Sequence, residues 1–519
     1  MMELGTTIVL LFLSTYMCLY LIFGLVKFLY KVWWNPIRIR KVMASQGIKG
    51  PSYRFIHGST KEVTNMINDS MSRPMELSHD VFPRLQPHIH SWIKTYGMNF
   101  LTWYGSKAQL IVTEPELIKE ILSNRDGTYP KTEAEDFVKK LLGDGIVTTE
   151  GKKWSKHRKL ANHAFNAENL KGMIPEMIAS VEMMLERWKH QEGKEIEVFE
   201  EFKVLTSEVI SRTAFGSSYR EGKNIFEMFM KLAFIISKNL YIIRFPGIGK
   251  LIQTSDDIES EKLERGIQES VVQIIKRREE KVKTRELDDF GDDFLGFLLK
   301  AHHHADENKR LSIEDMVDEC KTFYIAGHET TTSLLTWTIL LLAIDTDWQE
   351  KARKEVIELF GKRNPNIDDN GIARLKTMNM IINESLRLYP PVLGLTRRVA
   401  KEVRLGKLIL PPNIEVNLST LAVHHNPHIW GEDVHIFNPE RFSEGVAKAT
   451  NNNTAAFIPF SLGPRNCVGL NFVFIEAKLS LSMILQRYTF TLSPGYVHMP
   501  VLVLTTRPKH GLQIILHPL

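Results

Sequence analysis

The sequence predicts a mainly α-helical body with small β-sheets, set behind one N-terminal membrane-spanning helix. Three observations predict it. An uncharged apolar run opens the chain, amphipathic helical periodicity fills most of Lys61 to Ser385, and β-branched segments are few and short. With 43% hydrophobic and 24% charged residues among 519, the composition is that of a globular protein rather than a disordered or polytopic membrane chain. The chain divides into an anchor (1–30), a basic linker carrying glycine and proline (31–60) and one large body (61–519).

No charged residue occurs from Thr6 to Val26. At 1.5 Å per residue such a helix is about 30 Å long, the thickness of a bilayer's hydrocarbon core. A cleaved signal peptide has a shorter apolar run behind a basic start, whereas this run follows Glu3. Lys27, Lys31, Arg38, Arg40 and Lys41 follow the span and none precede it, which places the body on the cytosolic side, with Trp33 and Trp34 at interface depth. The sequons at Asn68 and Asn452 are then expected to carry no sugar. Pro36, Gly47, Gly50 and Pro51 mark the stretch from Asn35 to Gly58 as a linker.

In the body, helical patterns cover Glu182 to Lys189, Ile258 to Lys283 and Gln349 to Phe360. Strand patterns cover Asn99 to Tyr104, Gln109 to Thr113, Lys407 to Leu410 and the tail from Val501 to Leu516. The runs His302–His304 and Asn451–Asn453 read as solvated polar connectors. Three cysteines, Cys18, Cys320 and Cys467, are too few for a disulfide framework and suit a reducing compartment. A net charge of +5 without a basic tract interleaved with aromatics predicts no nucleic-acid partner.

The most informative segment is Phe460-Ser-Leu-Gly463-Pro-Arg465-Asn-Cys467-Val-Gly469. It offers one soft ligand, a cation two residues before it, an aromatic at its start, and glycines that let backbone approach a flat group closely. These residues resemble the signature of the cytochrome P450 family, Phe-x-x-Gly-x-Arg-x-Cys-x-Gly, at every fixed position. Five such matches arise by chance about once in ten thousand chains of this length. The resemblance implies a triangular helical haem-thiolate prism, with haem b bound through Cys467 as the iron ligand. Phe460, Arg465 and Gly469 are implied as haem contacts, Arg465 at a propionate. A thiolate ligand pushes electron density toward O–O cleavage.

An apolar run from Ile313 to Ile344 is interrupted by Ala326-Gly327-His328-Glu329-Thr330-Thr331. Gly and two Thr disfavour helix by about 2 kcal/mol relative to alanine, and such a local violation points to function. The Thr330 hydroxyl can bond the Ala326 carbonyl one turn back, leaving space beside Gly327 for a small ligand. The segment resembles the family's oxygen-binding motif, Ala-Gly-x-Glu-Thr-Thr. That implies Thr330 and Glu329 as the alcohol and acid that deliver protons to bound O₂.

Glu384 and Arg387 lie three apart on a predicted helix ending at Pro390, and Phe437-Asn-Pro439-Glu-Arg441-Phe442 supplies a second arginine. They match the family's Glu-x-x-Arg and Pro-Glu-Arg-Phe motifs, implying a buried Glu384, Arg387 and Arg441 network that braces the cysteine loop. Trp154-Ser-Lys-His-Arg158 matches the Trp-x-x-x-Arg helix that holds a haem propionate. Arg397 and Arg398 are both candidates for a second propionate clamp, with Arg397 favoured by its spacing from Arg387. Phe323, Ala326, Gly327, Leu393, Leu395, Val501 and Leu502 are the expected apolar pocket walls.

The likeness extends over nearly the whole chain and is strongest to the plant seventy-two clan. It departs from many microsomal members in lacking a proline-rich run after the anchor. It implies a monooxygenase of the endoplasmic reticulum membrane that hydroxylates a lipophilic terpenoid, steroid, hormone or fatty acid with O₂. No flavin or nicotinamide fingerprint is present, so the resemblance implies electrons from NADPH through NADPH–cytochrome P450 reductase.

Overall fold

In a computed structural model, residues 2–239, 253–307, 310–365 and 371–519 are described. The opening apolar run is one helix, Met2–Leu29, which passes through a π turn at Tyr30–Trp34 into a second helix, Asn35–Ala44. Thr6–Ala44 is the one described segment long and apolar enough to cross a membrane; its most apolar window has a mean hydropathy of 2.3 and none of it is buried.

The linker expected over 31–60 is more ordered than its glycines and prolines suggest. Pro36 sits in the first turn of Asn35–Ala44, where its missing N–H costs nothing. Ile39 and Met43 from that helix enter the core cluster that includes Trp103, Leu110 and Val416. The Tyr53 hydroxyl donates to the Val32 carbonyl, and Gln46 exchanges two bonds with the backbone of Ile409. The end of the apolar N-terminal helix is thereby fixed to the body.

Helix dominates the body, as the periodicity predicts. Its centre is the 32-residue helix Ile313–Ile344, begun by a reciprocal cap between Ser312 and Asp315. Helix Val198–Phe215 packs against it, and the approach is close at Gly327. A Cβ there would lie 2.7 Å from Ile210 Cδ1. Gly327 therefore serves helix packing on the side where a Cβ would stand, while the residue stays partly accessible.

A four-stranded sheet takes Phe100–Tyr104, Lys107–Val112, Glu415–Ser419 and Gly394–Arg398 in that spatial order; the middle pair is parallel and the outer pairs antiparallel. One face carries Leu101, Leu110, Val416 and Leu418 into the core. The other carries Thr102, Gln109, Asn417 and Thr396 to a cavity of about 580 Å³. Strand Gly394–Arg398 is also bridged to Lys131 at Arg397, so the sheet holds both cations near one edge of that cavity.

Candidate functional site

The cysteine loop turns tightly before helix Leu470–Leu485. Gly463 has φ +70°, and a Cβ on it would lie 2.2 Å from the Leu122 carbonyl oxygen, so only glycine fits both the dihedral and the approach. The Cys467 N–H donates to the Phe460 carbonyl at 2.9 Å, closing the loop. Gly463→Ala is expected to lower haem content of the purified protein by more than about half while leaving far-ultraviolet helicity unchanged. Backbone on both sides of the contact leaves the loop, not the helices, to move.

By accessible area Cys467 is exposed, yet protein surrounds it densely enough that burial pushes its thiol up. The Gly469 N–H and the Arg158 guanidinium act in the opposite direction, favouring thiolate. Cys320 is fully buried in the core, and Cys18 lies in the apolar N-terminal helix.

In the central helix the turn Ala326, Gly327 and Thr330 is open while nearly all its neighbours are buried. Thr330 donates to the Ala326 carbonyl at 2.7 Å, as the sequence predicts. Glu329 is buried on another side, where the Thr505 hydroxyl donates to it at 3.2 Å, and burial raises its pKa. His328 is packed against Phe226.

The basic residues assemble around the loop. Helix Gly151–Ala164 carries Trp154 and Arg158, and between them His157 makes a close buried contact with Glu319 of the central helix. Arg158 donates to both the carbonyl and the side chain of Asn466, the residue before the cysteine. The Arg465 guanidinium stacks 4.1 Å over the Trp154 ring and pairs with Glu150. Arg397 is 5% exposed and bonds only its neighbour's carbonyl among the bonds described. Arg398 is exposed and bonds Asn413, so of the two candidates only Arg397 joins the cluster.

Lys131 was not legible as a site residue. Its Nζ donates to the Val147 carbonyl. Burial, then the neighbouring Arg397 and Arg465, push its pKa down to about 7. Burial and Arg465 push Arg397 down to about 10. Three cations thus converge with Glu150 as the carboxylate among them, and the arrangement favours further anionic groups.

Glu384 and Arg387 are completely buried and joined by two 2.7 Å bonds. Arg441 Nε stands 3.5 Å from the same carboxylate and also bonds the carbonyls of Trp430 and Asp433. Arg387 donates to the His424 carbonyl, and the His424 ring accepts from the N–H of Ile458, two residues before Phe460. The triad therefore connects to the cysteine loop through one histidine.

The expected pocket walls do not all share one space. Phe323 is 6% exposed, with its ring stacked on Phe165 at 5.4 Å and against Phe294 at 4.0 Å, so it serves the core. Leu393 is likewise buried. Leu395 lines the 580 Å³ cavity, whereas Val501 and Leu502 line a separate cleft of about 930 Å³ with Phe234 and Arg507.

An accessible cysteine in a loop bonded by Arg158, an accessible turn of the central helix carrying a hydroxyl, and a cation cluster with one carboxylate among it fit an iron porphyrin with two propionates. The cytochrome P450 family profile matches residues 81–513. The chain belongs to the cytochrome P450 family. It is 59% identical to cytochrome P450 CYP749A22 of Panax ginseng over 99% of this chain and 98% of that one. It is 41% identical to 11-oxo-beta-amyrin 30-oxidase of Glycyrrhiza uralensis, over 94% of each chain, and to secologanin synthase 1 of Catharanthus roseus, over 93% of each. Retinoic acid-bound cyanobacterial CYP120A1 shares the fold, with a TM-score of 0.74 and 24% identity over 89% of this P450 and 97% of that chain. This P450 is a monooxygenase, an oxidoreductase whose family uses haem iron and O₂.

Proposed function

We propose that this P450 hydroxylates a lipophilic terpenoid-type molecule at the cytosolic face of the endoplasmic reticulum, with electrons from NADPH through NADPH–cytochrome P450 reductase. The observation that carries the chemistry is the accessible Cys467, in a loop that Arg158 bonds at Asn466, together with the open Ala326–Thr330 turn on the central helix. The substrate class rests on the names of two relatives, an oxidase of a β-amyrin derivative and secologanin synthase. A single N-terminal apolar helix followed by basic residues supports the membrane setting.

Bound haem supplies O₂ activation and the insertion of one oxygen atom into a C–H bond. Cys467 would hold its iron; Lys131, Arg397 and Arg465 would balance its propionates, with Trp154 and Arg158 fixing Arg465 and the loop. Burial of Glu329 in the central helix raises its pKa and favours the proton-bearing form. Thr330 can turn its hydroxyl from the Ala326 carbonyl toward the cavity and present a proton there. Apolar walls such as Leu395 and Ala326 exclude water and accept a hydrocarbon skeleton.

The test is reconstitution with reductase, NADPH and a terpenoid panel, scored by hydroxylated product and by the spectral shift on substrate binding. Product that depends on both NADPH and reductase is expected. Turnover without either would overturn the reading. Thr330→Ala is expected to lower product formation by about a hundredfold or more, the lower end of what a positioned proton donor contributes.

A further inference from the structure

Three segments remote in sequence meet on the far side of the buried triad. Asp80 precedes the short helix Phe82–Leu85, His425 follows helix Thr420–His424, and His435 lies in the turn before Phe437. One nitrogen from each histidine and one carboxylate oxygen lie within 4.8 Å of one another. His435 Nδ1 stands 3.6 Å from Asp80 Oδ1. That separation is too long for a hydrogen bond, yet close to the roughly 3.3 Å between neighbouring ligands on a tetrahedral ion with bonds of about 2.0–2.1 Å.

The tautomer of His425 is fixed by its partner. Its Nε2 lies 2.9 Å from the Leu388 carbonyl, which can only accept, so Nε2 carries the hydrogen and Nδ1 presents a lone pair. His425 is 3% exposed, and Nδ1 is buried with no hydrogen-bond partner among the described residues. The same holds for His435 Nδ1. A buried imidazole that gives one N–H to a backbone carbonyl and leaves the other nitrogen free has the form of a metal ligand with its supporting shell.

Arg387 is the nearby cation, and its charge is already matched by two bonds to Glu384. His90 also faces Asp80 and His435. Asp80 and His435 are each partly open to solvent, which leaves an entry path and room for water as a further ligand.

We propose that Asp80, His425 and His435 form a binding site for one divalent metal ion of the zinc type, separate from the cysteine loop at Cys467. Neutral imidazole and carboxylate donors without a thiolate suit zinc, and three protein ligands leave one position for water. The ion would tie the chain ahead of Phe82 to the 425–441 strap that carries Arg441.

Full-length untagged protein, stripped with chelator and dialysed against graded Zn²⁺, is assayed by elemental analysis and thermal unfolding. One zinc per chain is expected beyond weak surface binding, with affinity reduced at least about tenfold in His435→Ala and in Asp80→Ala. Zinc is expected to raise the unfolding midpoint of the unaltered protein by about 2 °C or more and not that of the variants. His303→Ala, whose ring is already bonded to Glu279, serves as the control and should bind zinc as the parent does. His435→Gln covers the case in which the alanine variant folds poorly. No stoichiometric zinc on the parent protein, or equal binding by His435→Gln, overturns the proposal.

Discussion

Cys467→Ala is expected to abolish the long-wavelength Soret band of the reduced, carbon monoxide-treated protein and to lower turnover by more than about a thousandfold, at least about 4 kcal/mol of barrier. The reason is that no other thiol can take its place. Cys320 is 1% exposed within the packed face of the central helix, and burial raises its pKa well out of the thiolate range. Cys18 lies in the apolar N-terminal helix, remote from the loop in sequence and on an element whose large side chains are exposed rather than packed on the body. Cys320→Ala is therefore the matched control. It should keep the band while losing only about 1 kcal/mol of stability. A band that persists in Cys467→Ala would remove the basis for every role assigned to the cation cluster and the central helix.

The parts of the site that were legible in the sequence are those compressed into one continuous segment. The loop from Phe460 to Gly469 and the turn from Ala326 to Thr331 each break a local rule, through glycine at a forced dihedral or through polar residues inside an apolar helix. Such breaks show in one dimension. Lys131 shows nothing there. Its meaning comes from a bridge to Arg397, 266 positions away, and from burial that no pattern announces.

The strands Gly394–Arg398 and Glu415–Ser419 were missed for a related reason. Their cavity face carries Thr396, Asn417 and Glu415, so the alternation that marks a half-buried strand is present while the β-branched enrichment is weak. Asn35–Ala44 was read as linker because Pro36 was weighed as a breaker, whereas in a first turn proline is compatible with helix. At Gly327 the close contact with Ile210 adds a packing reason for glycine that spacing does not reveal. The division of the expected pocket walls between core, cavity and cleft depends on side-chain direction, which spacing alone leaves open.

Arg387→Ala is expected to be the most destabilising single change in the body. Glu384 is completely buried, and removing Arg387 leaves its carboxylate with the Asn438 N–H and the longer contact to Arg441. Breaking a buried pair from one side costs about 3–5 kcal/mol, a large part of a typical total stability of 5–15 kcal/mol. Arg387→Lys should recover little, because an ammonium cannot make the two parallel bonds that Nε and Nη2 make. The loss should also reach the cysteine loop. Without Arg387 Nη1 the His424 carbonyl is unheld, and His424 is what receives the Ile458 N–H ahead of Phe460. Thermal unfolding and haem retention are therefore expected to fall together, with a midpoint lower by about 5 °C or more. Removing Lys189, which pairs with Glu186 at the exposed surface, should change stability by less than about 0.5 kcal/mol. If Arg387→Ala behaved like that surface variant, the triad would be an incidental ion pair, and the connection through His424 would carry no weight in holding the cysteine loop.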